Sequence, residues 1–188
     1  QDTYIGDAGE ILVRGDNVFV GYWKMPEKTK EEFTADGFFI TGDVGRRDPD
    51  GRVWISGRAK DLIIRSGHNF DPKVIEDALG AHPAVALCAA VGAPDAYAGE
   101  VPVAFATLKP GSQVSEAELL AFTAERVDEG PAKPKSITVL SAMPVTNVGK
   151  IYKPELRTLA TAAVVQKLIH NTLAPLQLAP VQWPQVQA

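Results

Sequence analysis

The sequence predicts an α+β fold, with a small β-rich segment followed by a compact α+β domain that has a roughly three-stranded sheet and flanking helices. Three observations carry this expectation. Up to Arg58, short alternating runs are separated by turn residues. Beyond Arg58, capped helical stretches alternate with apolar strand-like runs. The 188 residues are 45% hydrophobic, enough for one ordinary core or two small ones.

The elements follow in order. "EILVRG" at 10–15 alternates apolar and polar residues, and "GYW" follows at 21–23, so the first stretch reads as short strands and turns. A short helix is expected from Pro26 in "MPEKTKEEF", because proline is tolerated in the first turn of a helix. "FFITGD" at 38–43 predicts a strand running into a turn, and "RRDPDGRVWISGR" at 46–58 a hairpin about Asp-Pro-Asp-Gly.

The boundary is expected near Arg58 to Lys60, dividing residues 1–58 from a domain at 59–170. "KDLIIRSG" reads as another short strand. "DPKVIEDALG" at 71–80 predicts a helix with Asp71 as N-cap, Pro72 at the first position and Gly80 as its stop. "VALCAAVG" and "VPVAFATLKPG" read as two core strands. "SEAELLAFTAERV" carries a capping box, Ser115 with Glu118, and places Leu119, Phe122, Thr123 and Val127 on one face. "SITVL" at 136–140 is a third strand, and a last helix is expected from Pro154. After His170 the Pro- and Gln-rich residues 171–188 show neither period and read as a tail.

Composition narrows the function classes. A net charge of −4 gives no general basic surface for nucleic acid or anionic membrane. The longest strongly apolar run, "AVALCAAVGA", is far short of the roughly 20 residues that a spanning helix needs. The single cysteine, Cys88, lies in that run, which argues against an internal disulfide and a zinc site and for a small core residue. No basic and apolar leader opens the chain, and a cytoplasmic location is expected. The chain begins without methionine, which fits a piece cut from something longer.

Three strand-ending loops with a Gly-plus-charge pattern are the candidate chemistry. They are "TGD" at 41–43, "GRAKD" at 57–61 with "RSGHNFD" at 65–71 behind it, and "NVGK" at 147–150. Asp43 can be a plain turn residue, or a carboxylate accepting two neighbouring hydroxyls. Arg58 can be a surface cation, or a planar fork for a hydroxyl or phosphate. Gly67 can simply close a turn, or let a thin ligand pass close to the backbone. His68 has no second ligand at metal spacing. "NVGK" lacks the upstream glycine and trailing Ser/Thr of a phosphate-cradling loop, so Lys150 alone reads as a solvated lysine.

Taken together, these segments resemble the C-terminal part of the adenylate-forming superfamily: acyl-CoA synthetases, luciferases and peptide-synthetase adenylation domains. "GEILVRGDNVFVGYW" is similar to its G-E-[IL]-x-[IV]-x-G-x-x-x-x-x-G-Y motif. "DGFFITGDVGRRDPDGRVWISGRAKDLIIRSGHNFDPKVIEDAL" resembles its T-G-D, G-R-x-[DK]-D and G-x-x-[IV]-x-P-x-x-[IV]-E motifs in unbroken succession. "PVTNVGKIYKPELR" resembles its terminal P-x-T-x-x-G-K-[IV]-x-[KR]-x-x-[LI] motif.

The resemblance implies a role for each matching residue. Asp43 would accept both ribose hydroxyls of ATP, and Arg58 would contact the same sugar. Lys60 would be the hinge between a large N-terminal domain, whose end is the β-rich segment, and a mobile C-terminal lid. Gly67 would line the passage of the CoA pantetheine thiol, Glu76 would be structural, and Lys150 would be the adenylation lysine. Lys153 and Arg157 are expected to be solvated charges.

The expected reaction joins a carboxylic acid, fatty or aryl, to CoA through an acyl-adenylate, with ATP as co-substrate. The phosphate loop, the Mg2+-binding acid, the adenine-stacking aromatic and the acyl pocket of the family are not found in this sequence. Mg2+ ligands are therefore expected upstream, and a fragment inactive alone is expected. An adenylation domain loading a carrier protein and a non-catalytic binding module are the alternatives.

Overall fold

A computed structural model describes residues 8–173. The chain divides into two compact units, one up to Asp61 and one from Leu62 onward. The division falls just after the Arg58 to Lys60 boundary expected from the sequence.

The first unit is a three-stranded antiparallel sheet in the order β1 (Ala8–Val13), β2 (Phe39–Arg47), β3 (Val53–Arg58), with helix α1 (Pro26–Glu32) before β2. The β2–β3 turn is closed by Asp48, whose side chain accepts from the Arg52 N–H at 2.8 Å and from Trp54 Nε1 at 2.9 Å. Gly51, at φ 84°, supplies the left-handed residue that such a turn needs. "GYW" forms no strand: Tyr22 sits in a turn, its N–H donating to Thr29 Oγ1 at 2.9 Å. Trp23 is exposed, and Tyr22 joins an aromatic cluster. Phe19 makes edge-to-face contacts with Tyr22, Phe33 and Phe39 at centroid distances of 5.1, 5.5 and 5.0 Å.

The second unit is a five-stranded sheet, wider than the roughly three strands expected. Its strands are β4 (Ile63–Arg65), β5 (His68–Phe70), β6 (Val85–Asp95), β7 (Gly99–Leu108) and β8 (Ile137–Val139). β6 and β7 form a long antiparallel hairpin. On the other side of β7 stand β4, carrying β5 with it, and the parallel strand β8. The extra strand β5 lies inside "RSGHNFD", which the sequence predicts as a loop. Three residues are too few to show a period, and their pairing is visible only across the hairpin.

Both faces of this sheet are covered. Ala90, Ala104 and Ala106 face a core built with Ile75 and Leu79 of α2 (Pro72–Gly80) and Leu119 of α3 (Glu116–Arg126). Ala89, Val91, Val103 and Phe105 face the other way, onto Leu156 and Ala160 of α4 (Lys153–Leu173). Successive residues of β6 and β7 therefore serve opposite layers, as the pleat dictates. This explains why both strands read as continuous apolar runs.

The expected N-caps are in place, whereas Gly80 is the last residue inside α2 and Ala81 takes the C-cap position in place of the glycine stop. The Asp71 side chain accepts from the Lys73 N–H at 2.9 Å. Ser115 Oγ accepts from the Glu118 N–H at 3.2 Å, while Glu118 accepts in return from the Ser115 N–H at 2.9 Å. Helix α4 runs to Leu173, three residues into the expected tail; residues 174–188 lie outside those described.

Candidate functional site

Two of the sequence-selected residues are brought together in the first unit. Thr41, Gly42 and Asp43 lie within β2, and Arg58 ends β3, so these positions belong to paired strands where loops had been expected. Asp43 and Arg58 are cross-strand register partners, and Arg58 Nε donates to Asp43 Oδ1 at 2.8 Å. The local chain shape follows from Gly42, at φ 70°, and from Thr41 Oγ1, which donates to the Ile11 carbonyl at 2.7 Å and accepts from the Asp43 N–H at 3.0 Å. The Asp43 side chain is 27% exposed and the Arg58 side chain 64%, so this carboxylate edge is reachable from solvent. A carboxylate has lone pairs to spare beyond one arginine contact, and this one is held in a fixed direction.

Lys60 lies in a short 3-10 turn, Ala59–Asp61, that ends the first unit. Its side chain is exposed.

Gly67 is in the second unit, at the tip of the β4–β5 hairpin. Arg65 pairs with His68, leaving Ser66 and Gly67 as a two-residue loop with φ of 51° and 80°. Positive φ at both central residues is the pattern of the hairpin turn whose twist matches its strands. The Ser66 N–H also donates to the Ala98 carbonyl at 2.7 Å, which fastens this tip to the β6–β7 turn. A side-chain carbon placed on Gly67 would meet nothing within 4 Å, so its surroundings are open.

Lys150 is on an exposed turn of the same unit, between β8 and α4. Val145 and Ile151 form an antiparallel bridge at its base. Within it the Thr146 N–H donates to the Lys150 carbonyl at 2.7 Å, and the Gly149 N–H to the Thr146 carbonyl at 2.8 Å. The Lys150 N–H donates to Thr146 Oγ1 at 3.2 Å. Gly149, at φ 79°, allows the reversal. The turn is thus a small closed frame that presents the Lys150 side chain outward.

Lys153 and Arg157 depart from the expected solvated charges. Lys153 Nζ lies 2.7 Å from Glu76 Oε1, with side chains only 18% and 22% exposed. Arg157 is half-buried. Glu76 Oε1 also accepts from the Ala90 N–H at 2.9 Å, and Cys88 Sγ donates to the Glu76 carbonyl at 3.3 Å. A sequence signal for the pair existed. Glu76 falls among the buried Pro72, Ile75 and Leu79 of α2, and Lys153 is at helical spacing from the buried Leu156 and Ala160. A charge on a core-facing stripe calls for a partner.

Among the described residues, no group of three or more His, Cys, Asp or Glu is placed to hold a metal ion. No described helix is long and apolar enough to cross a membrane.

The AMP-binding enzyme C-terminal domain family matches residues 74–150. The marinolic acid–CoA ligase of Pseudoalteromonas sp. is 42% identical over 87% of this chain and 25% of its own length. The feruloyl-CoA synthase of Amycolatopsis sp. is 42% identical over 81% of this chain and 30% of its own. The crystal structure of ATP-bound MatB from Rhodopseudomonas palustris superposes with a TM-score of 0.75 at 42% identity, over 83% of this chain and 31% of that one. The chain thus spans about a quarter to a third of the length of these relatives. With the T-G-D strand, the Gly67 hairpin and the Lys150 turn all formed, the chain belongs to the adenylate-forming superfamily and carries its C-terminal domain.

Proposed function

We propose that the protein containing this chain is an ATP-dependent acid–thiol ligase. It would activate a small-molecule carboxylic acid, fatty or aryl, as an acyl-adenylate and pass the acyl group to CoA. The observation that carries the proposal is Lys150, exposed on a turn closed by its own backbone hydrogen bonds.

Attack of a carboxylate on the α-phosphorus of ATP brings two anions together, and negative charge grows on the phosphoryl oxygens and the departing pyrophosphate. A lysine ammonium is compact and offers three donors, so it can bridge carboxylate and phosphate. Aimed from a fixed turn into a site that excludes water, it would stabilise that charge by several kcal/mol, about 3–4 on the scale of a single oxyanion donor. Asp43 would accept the ribose hydroxyls, with Arg58 holding its carboxylate in direction and touching the same sugar. Such reactions use Mg2+, whose ligands are proposed to lie upstream of this chain.

Thiol attack on the acyl-adenylate needs no such lysine. A lid turning about Lys60 would withdraw Lys150 and bring up the Gly67 hairpin, whose open tip suits a thin pantetheine arm. We propose a cytoplasmic location, with which ATP and free CoA as substrates are compatible. The chain alone would have no ligase activity, because its sequence holds no phosphate loop and no acyl pocket.

The test uses the full-length protein. Lys150→Ala should lower substrate-dependent ATP–pyrophosphate exchange by about 10²–10³-fold while leaving thioester formation from supplied acyl-adenylate largely intact. Equal loss in both steps would refute the assignment. Transfer to a carrier protein in place of free CoA would instead favour the carrier-loading alternative.

A further inference from the structure

We propose that Glu76 and Lys153 form a clamp that positions the Lys150 turn, so that both are positioning residues for adenylation. The inference rests on the adenylation role proposed for Lys150. Its structural half stands on independent geometry.

β6 is the free edge of the five-stranded sheet, paired only with β7 among the described strands. Such an edge leaves N–H groups without a ladder partner. The Ala90 N–H is one of these, and it donates to Glu76 Oε1 at 2.9 Å. Glu76 comes from α2, on one face of the sheet, and Lys153 from α4, on the other. Their 2.7 Å contact therefore passes around the edge of β6 and ties both helical layers to the same strand.

Lys153 is also the first residue of α4. A cation there opposes the positive end of the helix dipole, so its position is not a local helix preference. The Glu76 carboxylate compensates that charge. Three residues earlier stands Lys150, and the intervening chain is itself held: Ile151 packs on the α4-side core, and the Tyr152 N–H donates to the Pro144 carbonyl at 2.8 Å. From Glu76 to the Lys150 turn there is no slack segment in which a displacement could be absorbed.

A lysine that must meet carboxylate and phosphate together tolerates little misplacement, since an error near 1 Å can cost about a hundredfold in rate. Loosening the clamp should therefore act on the adenylation step and spare the step that does not use Lys150.

The experiment compares Lys153→Met, Lys153→Arg and Glu76→Gln with Lys150→Ala in the full-length protein. Lys153→Met keeps the aliphatic stem and removes the ammonium. It should speed amide hydrogen exchange across residues 144–152 and leave α3 unchanged. It should also lower ATP–pyrophosphate exchange by about ten- to a hundredfold with thioester formation from supplied acyl-adenylate retained. Glu76→Gln should do the same, and Lys153→Arg should restore most of the activity.

Unchanged amide exchange over 144–152 in Lys153→Met would overturn the clamp, as would an equal fall in both half-reactions. If Lys150→Ala leaves pyrophosphate exchange intact, the reading of Lys150 fails. If Lys150→Ala abolishes it while Lys153→Met does not affect it, only the present inference fails.

Discussion

Arg58 Nε and Asp43 Oδ1 meet at 2.8 Å across the β2–β3 ladder, and the same two residues are register partners. The fold thus brings together two charges that lie fifteen positions apart and that the sequence marks only as separate polar segments. An exposed ion pair of this kind contributes less than about 1 kcal/mol to stability, so its loss separates a binding role from a structural one. Asp43→Asn in the full-length protein should raise the KM for ATP about ten- to a hundredfold, the loss expected for hydrogen bonds to a charged acceptor. The KM for the acid and the melting temperature should barely change. A steady-state kinetic series with a thermal melt checks this.

The role proposed for Gly67 in the thiol step separates the two half-reactions from the other side. The φ of 80° at this glycine disfavours any side chain, at a cost of about 1–2 kcal/mol, but the space around it is open. Gly67→Leu should fold with a slightly lower melting temperature and project its side chain outward from the hairpin tip. Thioester formation should fall while ATP–pyrophosphate exchange is retained.

Asp71 caps α2 and is partly buried, and burial is the main cause that raises its carboxyl above the ordinary Asp range. A carboxyl raised in the folded state contributes most at low pH, and that contribution fades as pH climbs from about 4 through the raised value. Asp71→Asn keeps an acceptor for the Lys73 N–H and removes the titration. It should be as stable as the wild type or slightly more so at neutral pH, with the difference shrinking in acid. Asp71→Ala should lose about 1 kcal/mol, the usual worth of an N-cap. Denaturant melts between acid and neutral pH read both effects.

Cys88 is half-buried, and burial pushes its thiol up to about 11, with the negative charges of Glu76 and Asp77 adding to the effect. At pH 8 only about one molecule in a thousand would carry the thiolate. The reaction of Cys88 with a disulfide reagent should therefore be slow in the folded protein and rapid after denaturation. Fast labelling of the native state would contradict this placement.

Much of the fold was legible because its signals are local. The Ser115–Glu118 box, the Asp71–Pro72 start and the Asp48–Gly51 turn each complete their hydrogen bonds within a few residues, so spacing alone announces them. β5 and "GYW" show the limit. A three-residue strand exists only by virtue of its neighbour, and an aromatic run can be strand or packing according to what it meets. Of the candidate site, Asp43, Arg58, Gly67 and Lys150 could be marked as polar or flexible positions, and the family resemblance attached roles to them. The placement of Lys153 is not legible in this way, because in the sequence it is one charge among several near a helix start.

The sequence by itself determined the α+β class, the helix caps, the turns and the superfamily, since these depend on residue types at short spacing. Only the tertiary structure decided which charges meet. Arg58 reaches Asp43 because β2 and β3 pair in one register, and Lys153 reaches Glu76 because β6 is a free edge with a helix on either side. Register and edge position are properties of the assembled sheet. A chain read residue by residue shows the charges but not the strand that stands between them.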